Sequence, residues 1–421
     1  MSAQPPPPGD TASVCSAAAA SGSVPADAAA ATTPGAVAAA SPSPAPSRAY
    51  ARAHFRLGLI STSVDLAALA VFLFSGASLA LASALRHGNG WLGGLPHSPL
   101  GLVLVYTAIL GAGLHLVGLP FAVASRRLEI RFGLNRQRWS GWWRDRAKSL
   151  ALEAVVGLGA AELVYALLRA APRYWWLWAW AGFTVFALIL AALAPVLLLP
   201  LFYRLRPLSP ADPAEAGLIA RVESLCARAR TRVRGVYEWR LGEKTVKANA
   251  ALVGWGATRR ILVSDTLLGE APAQEIEAVL AHELGHHVHR HIWQGLALQT
   301  ALAGFGFWVA ERLLRALVPA LHLSGIAAIA GLPLLLLTAA VLGVLLLPLG
   351  NAFSRRLERQ ADDYSFAAMG GPEPLIAGLE RLARRNLAEV APPRWKESLF
   401  YSHPAIATRI RRGRARAGRG K

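Results

Sequence analysis

Six long apolar stretches divide this chain, at about residues 57–85, 99–124, 149–171, 175–203, 293–318 and 325–349. Each approaches or exceeds the roughly 20 residues that an α-helix needs to cross the hydrocarbon of a bilayer. Between the fourth and fifth the pattern changes, and residues 204–292 read as a soluble insert. Ala214 to Arg230 has the spacing of an amphipathic helix. Val233–Arg240, Val246–Val253 and Arg260–Val263 alternate or are β-branched, with Gly254-Trp255-Gly256 as a turn, which predicts a small antiparallel sheet. A helix then follows: Pro272 suits a first turn, Glu275 and Glu277 favour its N-terminal end, and Ile276, Val279 and Leu280 supply an apolar face. Past the sixth stretch, Phe353, Leu357, Ala361 and Phe366 keep helical spacing, and Pro374–Leu387 reads as a further helical region. Residues 1–47 are Ala, Pro, Ser and Gly with few large apolar side chains, which predicts a disordered tail. The expected segments are therefore the tail 1–47, four spans in 48–203, the insert 204–292, two spans in 293–349 and a C-terminal region 350–421.

Charge orients these elements. The chain is 54% hydrophobic yet carries a formal net charge of +19. That pairing is foreign to an ordinary soluble globule and normal for a multi-pass membrane protein with basic cytoplasmic loops. Arg48, Arg52 and Arg56 precede the first stretch, and the loop after the second holds Arg126, Arg127, Arg131, Arg136, Arg138, Arg144, Arg146 and Lys148. The hairpin after the first has only Arg86, and the one after the fifth has no Lys or Arg. The positive-inside rule then places both termini and residues 125–148 in the cytoplasm, with the chain in the plasma (inner) membrane; Arg169 and Arg173 dissent. Trp139, Trp142 and Trp143, and Tyr174, Trp175 and Trp176, look like interfacial belts. No signal peptide is visible, and Cys15 and Cys226 make no disulfide framework. The basic excess follows the cytoplasmic loops, so no nucleic-acid partner is expected; the tail from Arg411 to Lys421 would stay solvated or touch anionic headgroups. Asp65, Glu153, Glu162, Glu311 and Arg312 lie within the stretches and point either to a hydrated chamber or to interhelical pairing.

The candidate chemistry is concentrated in His282-Glu283-Leu284-Gly285-His286, an H-E-x-x-H motif. Residues four apart share one face of a helix, so both imidazoles can bind a single metal ion while the adjacent glutamate faces the same pocket. A catalytic zinc usually needs a third protein ligand and an open position. Glu358 is the candidate, with Asp362 one turn on, placed to hold the ring N–H of a ligand histidine from behind. Two crossings separate the histidine motif from Glu358, so both fall on the cytoplasmic side. The rest of the run His286–His291 is read as ordinary interface residues or as extra metal-binding capacity. The sheet edge beside the helix could hold a peptide extended, or be a plain structural hairpin.

Beyond the zinc motif, several segments resemble the CAAX prenyl protease 1 family of integral-membrane zinc metallopeptidases. They are Glu129-Ile130-Arg131-Phe132-Gly133-Leu134-Asn135, Leu201-Phe202 with Leu205-Arg206-Pro207-Leu208, Ala248-Asn249-Ala250, Ser264-Asp265-Thr266-Leu267-Leu268, Glu358-Arg359-Gln360-Ala361-Asp362 and Ser402-His403-Pro404. The resemblance covers roughly residues 100–412. It implies a mainly α fold, a polytopic helical barrel around an intramembrane chamber, here with about six transmembrane helices and a small cytoplasmic α+β insert carrying the H-E-x-x-H helix. It implies one Zn2+ per chain held by His282, His286 and Glu358, with Glu283 as general base, Asn249 against the substrate backbone, and His403 and Arg409 lining the site, where either could stabilise the oxyanion. His403 and Arg409 could equally cap and pack a terminal helix. His287 departs from the family, which often has Trp there, and eukaryotic members have seven spans.

The expected function is a membrane zinc metalloendopeptidase acting on a peptide or membrane-protein substrate, lipidated or not. An HtpX-type quality-control metalloprotease is the alternative with the same chemistry. A zinc transporter with a His-rich cytoplasmic segment is the alternative of another class; its ion site would sit near midplane, whereas these ligands lie at the membrane edge.

Overall fold

The computed structural model describes residues 44–87 and 98–418. Most of the expected tail and the hairpin after the first stretch lie outside the described residues. Helix α1 runs Pro44–Phe74, four residues into the stretch assigned to the tail, and α2 Ala77–His87 follows. The first apolar stretch is therefore two helices rather than one span. Gly76, at φ +81°, breaks it in a conformation that L side chains resist. Both flanks of the break are apolar, so hydropathy alone does not reveal it. The helix gains its length from the basic residues on its N-terminal side instead.

Next come α3 (Pro99–Arg131), α4 (Trp139–Ala170) and α5 (Trp175–Leu193). A single π-helical turn over Ala194–Leu198, where Pro195 has no N–H to give, leads into the short α6 (Leu199–Phe202). After the insert, α10 (His291–Leu317) and α11 (Leu332–Ala368) run away from it and back. Five helices among the described residues are long and apolar enough to cross a membrane: α1, α3, α4, α5 with its continuation to Phe202, and α11 with the turn preceding it. The expected span at 293–318 is a helix, α10, but Gln294, Gln299, Glu311, Arg312 and Arg315 dilute its apolar run, and it is not among the five.

The six long helices form a closed ring in which α1 packs on α3, α3 on α4, α4 on α5, α5 on α10, α10 on α11, and α11 back on α1. The most apolar windows of the five are only 0 to 22% buried. Their side chains point outward or into the ring instead of filling a packed centre. One end of the ring is closed by a core that includes Leu85, Tyr106, Tyr165, Trp175, Leu314 and Ile329. There Ser78 of α2 bonds the Tyr106 hydroxyl at 2.7 Å and donates to the Ala330 carbonyl at 2.6 Å. Glu311 accepts from Trp175 and Arg315, so this buried acid serves interhelical pairing.

The insert sits at the other end of the ring, where Val246 donates to the Leu134 carbonyl in the α3–α4 loop. It contains β1 (Leu205–Pro207), α7 (Pro213–Arg228), β2 (Val236–Trp239), β3 (Ala250–Val253), β4 (Arg260–Ser264), α8 (Asp265–Leu268) and α9 (Ala273–Val288). The sheet order is β1-β2-β4-β3, and β2 lies parallel to β4, so the sheet is mixed rather than antiparallel. The reason is local. The middle of the chain between β2 and β3 leaves the sheet; Val246 donates to the Leu134 carbonyl, and Ala248 donates to Asn386. That detour carries β3 to the far side of β4, where it becomes an edge. Leu225, Val222, Ile261, Val263, Ala278 and Leu284 fill the core between α7, the sheet and α9. After α11, the helices α12 (Glu373–Arg385) and α14 (Ile406–Ala417) close over the same core, while α13 (Arg394–Phe400) packs on α11.

Candidate metal centre

Helices α9 and α11 cross with their backbones in close contact, pinned by the Ser365 hydroxyl donating to the Ala278 carbonyl at 2.8 Å. On α9 the Nε2 atoms of His282 and His286 lie 3.2 Å apart. On α11 the Glu358 carboxylate reaches both, 3.3 Å from His282 Nε2 and 3.3 Å from His286 Nε2. One donor atom from each of the three residues falls within 4.8 Å of the others.

These residues fit a metal ion. Glu358 Oε2 is buried with no hydrogen-bond partner, as an oxygen reserved for a cation would be. Burial alone lowers the pKa of His282, but the adjacent Asp362 and Glu358 carboxylates outweigh it and raise it to about 9. The pocket thus favours positive charge where the imidazoles converge.

Behind His282, its Nδ1 meets Asp362 Oδ1 at 3.0 Å. Arg409 of α14 is buried and grips the same carboxylate, Nη2 to Oδ1 at 2.5 Å and Nε to Oδ2 at 3.0 Å. Its Nη2 also lies 3.3 Å from His282 Nδ1. Arg409 therefore stands behind the ligands. His403 stands in front, its side chain 61% exposed and its Nε2 3.2 Å from Glu358 Oε1. Protein packed around the covered side of the ring, with the Arg409 charge and against the opposing pull of Glu358, holds the His403 imidazole below its ordinary pKa.

Glu283 lines a cavity of about 320 Å³ with Leu252, Gly254, His286 and Leu357. Burial pushes its carboxyl pKa up, while the two histidines and the backbone N–H of Leu252 pull against that. Leu252 belongs to β3, so the free edge of the sheet runs beside the glutamate. Asn249 precedes β3 with its side chain exposed; its Oδ1 accepts from Ala250 N at 2.9 Å, and it does not touch the histidine cluster.

Two residues, His291 and Gln360, have a place here that the sequence did not specify. His291 is buried, with Nδ1 2.9 Å from His286 Nδ1 and Nε2 2.9 Å from Gln360 Oε1. If His286 gives its Nε2 to a metal, its Nδ1–H donates to His291, whose Nε2–H donates to Gln360. His291 reaches this place because Arg290 adopts a left-handed conformation, φ +55°, between α9 and α10. The only sequence signal is a further histidine just past the motif.

The family description "CAAX prenyl protease N-terminal, five membrane helices" matches residues 39–204, and peptidase family M48 matches residues 213–417. The uncharacterised metalloprotease YhfN of Bacillus subtilis is 31% identical over 299 residues, covering 70% of this chain and 69% of that protein. The CAAX prenyl protease 1 of Saccharomyces cerevisiae is 27% identical over 330 residues, covering 73% of this chain and 71% of that one. The crystal structure of Ste24p from S. mikatae superposes with a TM-score of 0.76 at 24% identity over 87% of each chain.

Proposed function

This chain belongs to peptidase family M48 and is a membrane metallopeptidase with relatives of the CAAX prenyl protease 1 type; on that premise we propose that it is a zinc endopeptidase with a single metal site. His282, His286 and Glu358 would hold the ion. The observation that carries this is the convergence of two α9 imidazoles and an α11 carboxylate within 4.8 Å, although α10 and most of α11 separate them in the chain. Two imidazoles and one carboxylate, with a side left open, are the donor set of catalytic zinc. Bound there, zinc would polarise the scissile carbonyl and lower the pKa of a water toward about 7.

The remaining steps belong to the protein. A peptide laid along the β3 edge offers its carbonyl to the cavity that holds Glu283. Glu283 removes a proton from the attacking water and delivers it to the leaving amine nitrogen. His403, exposed on the open side, donates to the developing oxyanion. Asp362 orients His282, and Arg409 holds Asp362, a role behind the ligands instead of one on the substrate. Asn249, at the start of the β3 edge, would contact substrate backbone farther from the scissile bond.

The same reading places the metal at the cytoplasmic face of the plasma membrane, with both termini inside, because the basic loops gather at the end of the ring that carries the insert. The substrate is then a peptide segment of a membrane-tethered protein, and a lipid anchor would find room among the apolar side chains within the ring. No nucleic-acid partner is proposed. The test is cleavage of a quenched reporter peptide by the purified protein. Wild type cleaves and Glu283→Gln does not; equal cleavage by the two would overturn the mechanism.

A further inference from the structure

A second cavity, of about 580 Å³, opens on the other side of His286. Its walls are the end of α7, the turn between β3 and β4, and the junction of α9 with α10. Three arginines face it, Arg230, Arg259 and Arg290, and no carboxylate lines it. Among the described residues none of the three has a carboxylate within ion-pair distance, whereas nearby Arg221 and Arg228 both reach Glu277. Arg259 Nε is buried without a hydrogen-bond partner. A buried guanidinium nitrogen left unpaired is costly unless an acceptor arrives.

The walls are held in place. Trp255 stacks on Trp293 with centroids 4.9 Å apart and planes 18° from parallel, tying the turn to the start of α10. Gly254, at φ +90°, lets that turn close; a Cβ there would come 2.6 Å from the Thr258 carbonyl oxygen. Arg230 and Arg290 both have left-handed backbones, φ +49° and +55°, an uncommon choice outside glycine and asparagine. Cationic side chains suit helix C-termini, which accounts for their chemistry there. It does not account for Arg259, which follows the hairpin turn.

Position identifies the occupant. The turn that forms one wall continues directly from β3, and this cavity shares His286, His287 and Ile292 with the one that holds Glu283. A peptide lying on β3 past Val253 therefore runs into the arginines. We propose that this cavity is a substrate subsite for a carboxylate, an acidic side chain or the chain's own terminus, a few residues from the scissile bond. The proposal rests on the peptidase reading above.

The test compares reporter peptides that differ at single positions flanking the cleaved bond, Glu against Gln, together with free-acid against amidated C-termini. Wild type is expected to favour the carboxylate-bearing peptides by about tenfold or more in kcat/KM, mostly through KM, and less at high salt. The glutamate series and the terminus series separate the two sources of the carboxylate. In Arg259→Gln, and in the triple variant with Arg230→Gln and Arg290→Gln, the acid-to-neutral ratio should fall toward one, with metal content and melting temperature confirming the fold. A wild-type ratio near one, or a ratio the triple variant keeps, overturns the subsite while cleavage itself leaves the peptidase standing. If no peptide is cleaved, the peptidase reading fails instead. If the triple variant loses binding to phosphatidylglycerol vesicles but keeps the peptide ratio, the cavity serves lipid headgroups and the proposal is wrong.

Discussion

A Cβ placed on Gly285 would lie 3.0 Å from the Cα of Ala361 and 3.1 Å from the Cβ of Tyr364. Helices α9 and α11 touch backbone to backbone at this point. Gly285 immediately precedes His286, and Glu358 lies about one turn before Ala361, so the contact sets how closely the carboxylate approaches the imidazoles. Backbone cannot swing aside as a side chain can. Gly285→Ala should therefore push the helices apart, costing about 1–3 kcal/mol as overpacked cores do. Thermal unfolding together with metal content checks this: a lower melting temperature and weakened metal retention are expected, and a variant indistinguishable from wild type in both would show that the crossing tolerates a methyl group.

Removing the charge behind His282 should act on the metal rather than on folding alone. Asp362 is buried between His282 Nδ1 and the Arg409 guanidinium. Asp362→Asn keeps the shape but weakens the acceptor that orients the ring. Loss of such a partner typically lowers metal affinity about 10–100-fold. A chelator-competition titration measures it, and unchanged affinity would remove Asp362 and Arg409 from the site.

His291 offers a parallel case on the other imidazole. With its Nδ1 2.9 Å from His286 Nδ1 and its Nε2 on Gln360, it fixes which nitrogen His286 presents. His291→Ala should weaken zinc binding within the same range of about 10–100-fold. His291→Asn, which can still accept and donate, should recover part of it. Equal zinc affinity in wild type and His291→Ala would make this histidine a packing residue only.

At the closed end of the ring, Trp175 donates its indole N–H to the buried Glu311. Trp175→Phe leaves that carboxylate one donor short, with a cost of about 1–3 kcal/mol. The expected result is a lower melting temperature in detergent with reporter cleavage per folded molecule retained. A stability matching wild type would mean that water replaces the indole there.

Much of this site could be read from the sequence because helix geometry fixes it. Two histidines four apart must share a face, and a carboxylate reached after one long helix out and another back returns to the same end of the bundle. What could not be read depends on backbone states that apolarity hides. Gly76 splits α1 from α2 within an unbroken apolar run. The sheet holds a parallel pair because Val246 and Ala248 bond outside it, to Leu134 and Asn386. His291 joins the site only through the left-handed turn at Arg290, a residue whose type announces no turn. Arg409 was legible as a neighbour of the site but not as a group behind it, since only the fold shows its guanidinium turned onto Asp362.

The central claim is that imidazoles of α9 and a carboxylate of α11, separated in the chain by one long helix out and most of another back, share one zinc. Metal analysis of the purified protein, set beside its Glu283→Gln and Glu358→Gln variants, tests it most directly. One zinc per chain is predicted for wild type and Glu283→Gln, with Glu358→Gln losing most of its metal. Full zinc in Glu358→Gln, or none in wild type after loading, would contradict it.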